Sequence, residues 1–416
     1  MSADGRRVTV VTSGHLSTCP RMLKAADALS LAGYDVRVVA TRHEPWATEA
    51  DADVLARRSW PVTIVDYRRR ESPQVYWWNG VLHRVARGVV KAGGAERVPS
   101  AIVGPAFGRV HGALVTAILA SPSDLIYGGT TGALAAIAEA GRRSHTPYAL
   151  DLEDFHSGET SGPEAPFIDA LAARVERSVL GGAAFVTTSS EGIAAEYARV
   201  HRVEAAVIHN TFPLPSRSPD FGRADPSTLR LYWFSQTIGP GRGLEQAIAA
   251  IGRCGVAAEL TLLGRPHGSF LDTLRAAAGQ TAPQLRLAHR APASPDSMIE
   301  VARGHDVGLA LELGPPRNRE ICLPNKALTY ILAGLSVLMA DTEGQRALGR
   351  DLGRGAALVN PRDVDAVAAQ LSAWASDPVA LDCAKRTAWH CAARRWHFDH
   401  DAERGVLYRL VGEALS

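Results

Sequence analysis

Apolar residues along the chain follow two rhythms. Short, nearly continuous runs rich in β-branched residues ("RVTVVTS", "DVRVVAT", "VTIVDY", "DLIYGG", "PYALDLED", "AAFVTTSS") alternate with longer stretches such as "RMLKAADALSLAG" and "ALAAIAEAGRRS". In the longer stretches apolar positions recur every three or four residues, the spacing of one helix face. Buried strands separated by helices predict a parallel sheet covered on both faces. Pro20 suits a first helical turn and Gly33 a C-terminal stop, which bounds the first helix.

The rhythm breaks at 212–228, "FPLPSRSPDFGRADPST", where Pro, Ser and charge dominate as they do in linkers. A second alternating series follows: "LRLYWFS", "GLEQAIAAIG", "AELTLLG", "DSMIEVARG", "DVGLALEL", "NKALTYILAG" and "SVLMAD". The reading is therefore two doubly wound α/β domains, 1–211 and 212–390. Residues 391–416, helical in pattern and carrying large aromatics, pack on the second sheet or return to the first domain.

Composition changes this picture little. A chain of 416 residues is long for one core and comfortable for two. Its net charge of +2 gives no whole-chain signal for nucleic acid. Five scattered cysteines without metal-ligand spacing fit a reduced, cytoplasmic protein better than a disulfide framework. The N-terminal apolar run is too short for a signal peptide, and no 18-residue apolar stretch follows. Only Lys24, Lys91, Lys326 and Lys385 are lysines among 45 basic side chains, so each lysine draws notice.

Ligands of open parallel sheets bind beyond the carboxyl ends of strands. Four such loops carry chemistry. "GPGRG", Gly239 to Gly243, presents Gly241, Arg242 and Gly243 before a helix, a combination that suits an anion or equally a solvated surface turn. "LPNKALTYILAG" places Asn325 and Lys326 in a first helical turn, where a cation opposes the helix dipole unless an anion is shared. "ALDLEDFHSGE" crowds Asp151, Glu153, Asp154, His156 and Glu159 at a strand end; clustered carboxylates suit proton transfer or hydroxyl binding, or Asp154 or Ser157 caps the next helix. "SGHLSTCP" has Gly14 for close backbone approach, with His15 and Ser17 facing a ligand or merely turning the chain. Apart from these loops, "YWWNGVLHRVARGVVKAGG" has an apolar stripe, Val81, Leu82, Val85 and Val89. Packing on its own sheet is the commoner reason for such a stripe; resting on an anionic membrane is the other.

Taken in order, these pieces resemble the GT-B glycosyltransferases, most closely the family-4 type using nucleotide-sugar donors. The resemblance covers nearly the whole chain, through "GHLSTCPRMLKAADALSLAGYDVRVVA", "VIHNTF", "FSQTIGPGRGLEQAIAAI", "LTLLGRP", "MIEVARGHDVGLALEL" and "LPNKALTYILAGLSVLMAD". It implies two Rossmann-like domains facing a cleft, with donor nucleotide on the second and acceptor mainly on the first. It assigns Arg242 to the donor diphosphate, Gln236 to a position often held by Arg, and Asn325 with Lys326 to a pair common among relatives. Of two glutamates usual in the family, the second falls at Thr329 and the first at Ile321 beside Glu320, so ribose recognition rests on Glu320 or another group. A histidine common at the end of the strand "DLIYGG" is replaced by Gly128, Gly129 and Thr130, and a His-Asp pair by Glu153 and Asp154 with His156 nearby. Donor contacts are thus expected at Gly14, Gln236, Gly241, Arg242, Gly243, Glu320, Asn325, Lys326 and Thr329, and catalysis at Asp154, Glu153 and His156. No metal or cofactor is expected to be required, since fixed cations stabilise a leaving diphosphate. UDP-sugars are the favoured donors; the acceptor is a small molecule, glycan or lipid-linked hydroxyl in bacterial envelope or secondary-metabolite synthesis. An epimerase of the same fold, or a weakly catalytic nucleotide-sugar-binding partner subunit, is the alternative.

Overall fold

The structure is a computed structural model describing residues 5–222, 225, 227–312 and 314–416. The chain divides into two compact units, Met1–Ile208 with Pro316–Asn318 and Asp401–Ser416, and His209–Pro315 with Arg319–His400. The second unit thus begins at His209, and the return to the first starts at Asp401. There Tyr408 donates its hydroxyl to Ala28 O at 3.0 Å.

The first unit holds a seven-stranded parallel sheet in the order β3-β2-β1-β4-β5-β6-β7. Its strands are β1 (Arg7–Thr12), β2 (Asp35–Arg42), β3 (Val62–Asp66), β4 (Leu125–Gly129), β5 (Tyr148–Leu152), β6 (Val186–Thr188) and β7 (Ala206–Val207). The second unit holds six parallel strands ordered β10-β9-β8-β11-β12-β13. These are β8 (Leu229–Ile238), β9 (Ala258–Pro266), β10 (Leu285–Arg290), β11 (Val307–Ala310), β12 (Ser336–Ala340) and β13 (Ala356–Val359). Order reverses beside β1 and again beside β8, the two places where such sheets open a crevice.

β8 shows why the strands read as unbroken apolar runs. Leu229, Leu231 and Trp233 enter one core cluster, while Tyr232 and Phe234 enter another. Successive side chains of a strand point to opposite faces, so burial of both faces removes polar positions from the run. The helix Leu244–Cys254 turns Leu244, Ala247, Ile248 and Ile251 into the first cluster, at the spacing the sequence displays.

Residues 223, 224 and 226 of the expected linker lie outside the described residues. The linker's start is fastened rather than free. Thr211 donates to Trp396 O at 2.8 Å, Phe398 N donates to Phe212 O at 2.8 Å, and Leu214 N donates to an Asp399 carboxylate oxygen at 2.8 Å. The five cysteines are free. Among the described residues no single helix is long and apolar enough to cross a membrane.

One expectation is reversed. The helix Pro73–Gly93 buries Asn79, Gly80, Ala86 and Val90, and its apolar stripe faces solvent. Its inner face is held by polar contacts: His83 Nδ1 donates to Pro105 O at 2.8 Å, Arg109 lies 4.4 Å over Tyr76, and Arg87 pairs with Glu164 at 3.0 Å. Periodicity reveals a face but not which way it turns.

Candidate functional site

In the first unit the crevice lies where β1 and β4 diverge. Register sets Thr12 beside Gly129 and Gly129 beside Asp151. A Cβ on Gly128 would lie 2.4 Å from Val11 O, and one on Gly129 would lie 2.8 Å from Asp151 O. At Gly128 and Gly129, β4 therefore runs too close to its neighbours for a side chain. The next residue, Thr130, has φ 73°, an uncommon conformation for a residue with a Cβ. Its hydroxyl accepts from Ser13 N at 2.9 Å and bonds the Ser13 hydroxyl at 2.8 Å, which ties the two strand-end loops together.

The neighbouring loop assigns His15 and Ser17 to structure and not to a ligand. His15 Nδ1 donates to Asp51 at 2.7 Å, and Nε2 accepts from the amides of His43 at 3.0 Å and Glu44 at 2.9 Å. Ser17 donates its hydroxyl to Asp51 at 2.7 Å. Both side chains fasten one loop to the next. Gly14 retains room for a Cβ, the nearest atom being Thr18 Oγ1 at 3.4 Å.

Beyond β5 the acidic loop forms one network. His156 is buried, its Nδ1 3.2 Å from Glu159 and 3.2 Å from the Thr131 hydroxyl. Its backbone N–H donates to Tyr197, whose hydroxyl donates to Glu176 at 2.7 Å. Burial alone would lower the imidazole, but Glu159 outweighs it and, with Glu176 and Asp154, raises it to about 9. His156 is an imidazolium at neutral pH, and its Nε2 has no hydrogen-bond partner among the described residues. Glu153 is pushed up to about 7, by burial first and then by Asp154. Asp154 is raised as well, by burial and Glu159, while Asn318 Nδ2 donates to it at 2.7 Å. Asn318 also accepts from Phe155 N at 2.9 Å, so a residue far along the chain fixes this loop. Lys24, buried one helix away, is lowered to about 7 by burial and by Arg21.

In the second unit β8 overruns its apolar segment. Register shifts between Phe234 and Thr237, and Gln236 stands exposed at this irregularity. Bulges re-aim side chains in this way. The glycine turn follows. Gly243 precedes the helix Leu244–Cys254 at φ 77°, and a Cβ there would sit 2.2 Å from Leu311 O. Only glycine closes this turn against the end of β11. Gly241 has φ 73° and lies against Arg319, whose Nη1 is 3.4 Å from Gly241 O.

Arg242 is partly exposed and makes neither a hydrogen bond nor an ion pair among the described residues. It is close enough to Arg319 to help burial lower the latter's guanidinium. Two cations at a helix N-terminus repel one another until an anion arrives. Arg319 was missed in the sequence because "PPRNRE" reads as a charged surface run, with nothing to separate Arg319 from Arg317. The latter instead pairs with Glu196 at 3.2 Å in the first unit.

The helix Asn325–Ala333 differs from expectation. Lys326 is 5% exposed and pairs with Glu312, its ammonium 5.6 Å over the Trp233 ring. Its charge is answered from within the protein. Thr329 is fully buried and donates its hydroxyl to Asn325 O at 2.9 Å, so its proton serves the helix. Asn325 is partly exposed and Glu320 exposed. Lysine rarity marks burial: Lys24, Lys326 and Lys385 are all buried, and Lys385 pairs with Asp306 at 3.2 Å.

Comparison with known proteins agrees with this architecture. Residues 18–211 match the family described as "Glycosyl transferase 4-like domain". HepE (Alr3699) of Anabaena, solved with UDP and glucose, is similar over 99% of both chains at 16% identity and a TM-score of 0.64. Sucrose-phosphate synthase from Thermosynechococcus elongatus is similar over 98% of this chain and 100% of its own, at 12% identity and TM-score 0.64. A glycosyltransferase from Rickettsia africae covers 99% of both at 10% identity and TM-score 0.63. No curated protein matches the chain in sequence. The chain thus has the fold of these GT-B glycosyltransferase structures, and residues 18–211 are similar to a glycosyl transferase 4-like domain.

Proposed function

We propose that the protein moves a sugar from a nucleotide-sugar donor, a UDP-sugar in the favoured reading, to an acceptor hydroxyl. The supporting observation is the pair of guanidiniums, Arg242 and Arg319, set beside a positive-φ glycine turn at the start of a helix. Glycosyl transfer leaves negative charge on the departing diphosphate. Cations and amides already aimed at that charge lower the barrier more than they tighten ground-state binding. Gln236, Glu320 and Asn325 are proposed as further donor contacts, and Gly14 as the donor-side approach on the first unit. HepE and a trehalose-6-phosphate structure from E. coli hold UDP, or a UDP-linked fluoroglucose, on the same fold, which favours uridine for the donor.

In this reading the first unit supplies the acceptor chemistry. Glu153, poised near neutrality, takes the hydroxyl proton as the new glycosidic bond forms. The His156 imidazolium donates Nε2–H to an oxygen of the sugar or acceptor, and Asp154, held by Asn318, orients the loop. An acceptor from envelope or secondary-metabolite synthesis, glycan or lipid-linked, remains the proposal.

Arg242→Ala and Arg319→Ala should each reduce turnover by roughly one to three orders of magnitude, as loss of a preorganised donor does. UDP-sugar consumption and UDP release are the readouts. Wild-type rates in both variants would remove the diphosphate from this turn. Conversion of the donor without acceptor would make the protein an epimerase.

A further inference from the structure

The exposed stripe on the helix Pro73–Gly93 belongs to neither sheet core. Trp77, Trp78, Val81, Leu82, Val85 and Val89 recur at three- and four-residue spacing on its outer side, Trp78 being 67% and Val85 60% exposed. Six large apolar side chains on one face exceed the scattered exposure normal for a surface.

Charge distinguishes among occupants. Between Arg68 and Arg97 lie seven Lys or Arg and two Glu, an excess of +5 in a chain whose net charge is only +2. Arg69, Arg70, Arg84 and Arg97 are exposed and make no ion pair among the described residues. Arg69 lies 5.2 Å over the Trp77 ring at the helix start. A second copy seated on this face by two-fold symmetry would set each excess against its twin. An apolar strip flanked by unpaired cations, with tryptophans at one end, complements a bilayer whose surface is anionic and whose interior is hydrocarbon.

We propose that this face docks the protein on anionic lipid bilayers, with the helix lying in the interfacial plane and its apolar side chains among the acyl chains. The inward contacts of His83, Arg109 and Arg87 hold the helix in place, so docking needs no refolding. The docking is independent of the transfer reaction proposed above.

The test is flotation of the full chain with vesicles of phosphatidylcholine alone or mixed with phosphatidylglycerol. Wild type should float with the anionic vesicles and be released by salt. Trp78→Ser with Val85→Ser should lower the partition coefficient about tenfold or more, the loss of buried apolar surface at an interface. Arg84→Gln should lower it about fivefold, the worth of a cation near such a surface. All three side chains are exposed, so unchanged melting verifies folding of each variant. Wild type left unbound, or serine variants floating like wild type, overturns the proposal. So does a wild-type dimer in light scattering that the serine variant converts to monomer, since a second copy then covers the face.

Discussion

Lys326 is the sharpest place to separate architecture from ligand binding. Lys326 and Glu312 are 5% and 6% exposed and answer one another, with Glu312 Oε2 left without a hydrogen-bond partner among the described residues. Removing one member of a buried pair strands the other charge and costs about 3–5 kcal/mol. For a domain of this size that is a fall in Tm of about 6–20 °C. Lys326→Met and Glu312→Leu are each predicted to show it by calorimetry. The double variant Lys326→Met with Glu312→Leu leaves no uncompensated charge and should recover most of the loss. Titration of UDP into the double variant then measures the pair's contribution to the ligand. Because Glu312 already neutralises it, affinity should stay within about threefold of wild type, under 1 kcal/mol. Single variants within about 1 kcal/mol of wild type would refute the buried pair. A tenfold or greater loss of affinity in the double variant that Glu312→Leu alone does not show would return Lys326 to the diphosphate, as its place in the sequence suggested.

Two further outcomes follow from the geometry. Gly255 and Gly243 both have positive φ, but a Cβ on Gly255 meets nothing within 4 Å while one on Gly243 meets Leu311 O. Gly255→Ala should cost about 1–2 kcal/mol and Gly243→Ala about 1–3 kcal/mol more, with loss of UDP binding; equal costs by calorimetry would refute the close approach. The His156 imidazolium, raised from 6.5 to about 9, adds stability fully present below pH 6.5 and lost as pH rises through about 9. The free-energy equivalent of that rise is about 3 kcal/mol. Lys24, lowered from 10.5 to about 7, acts in the opposite sense over an overlapping range, since a depressed amine adds stability as pH rises from its folded to its ordinary value. The His156 contribution is therefore the difference between wild type and His156→Gln in denaturation across that range. A difference that does not shrink toward pH 9 would refute it.

The alternation of strands and helices, the two domains, and the loops at strand ends are legible in the sequence because each rests on spacing within a few residues. "LYWFS" must bury both faces and "GLEQAIAAIG" one, whatever surrounds them. Gly241 and Gly243 announce a sharp turn, and "LEDFH" a carboxylate cluster. What lies across the fold is not local and left no such signal. Arg319 reaches the glycine turn and Asn318 reaches Asp154 only after the strands between them are laid side by side, and Glu312 reaches Lys326 only once the segment after β11 folds back. His15 resembled a ligand contact until Asp51 and two amides took both of its nitrogens. The stripe after Trp77 showed a helix with an apolar side, and only the helices packed beside it decided that this side faces out. Periodicity fixes which residues share a surface, whereas burial depends on the neighbours that tertiary structure supplies.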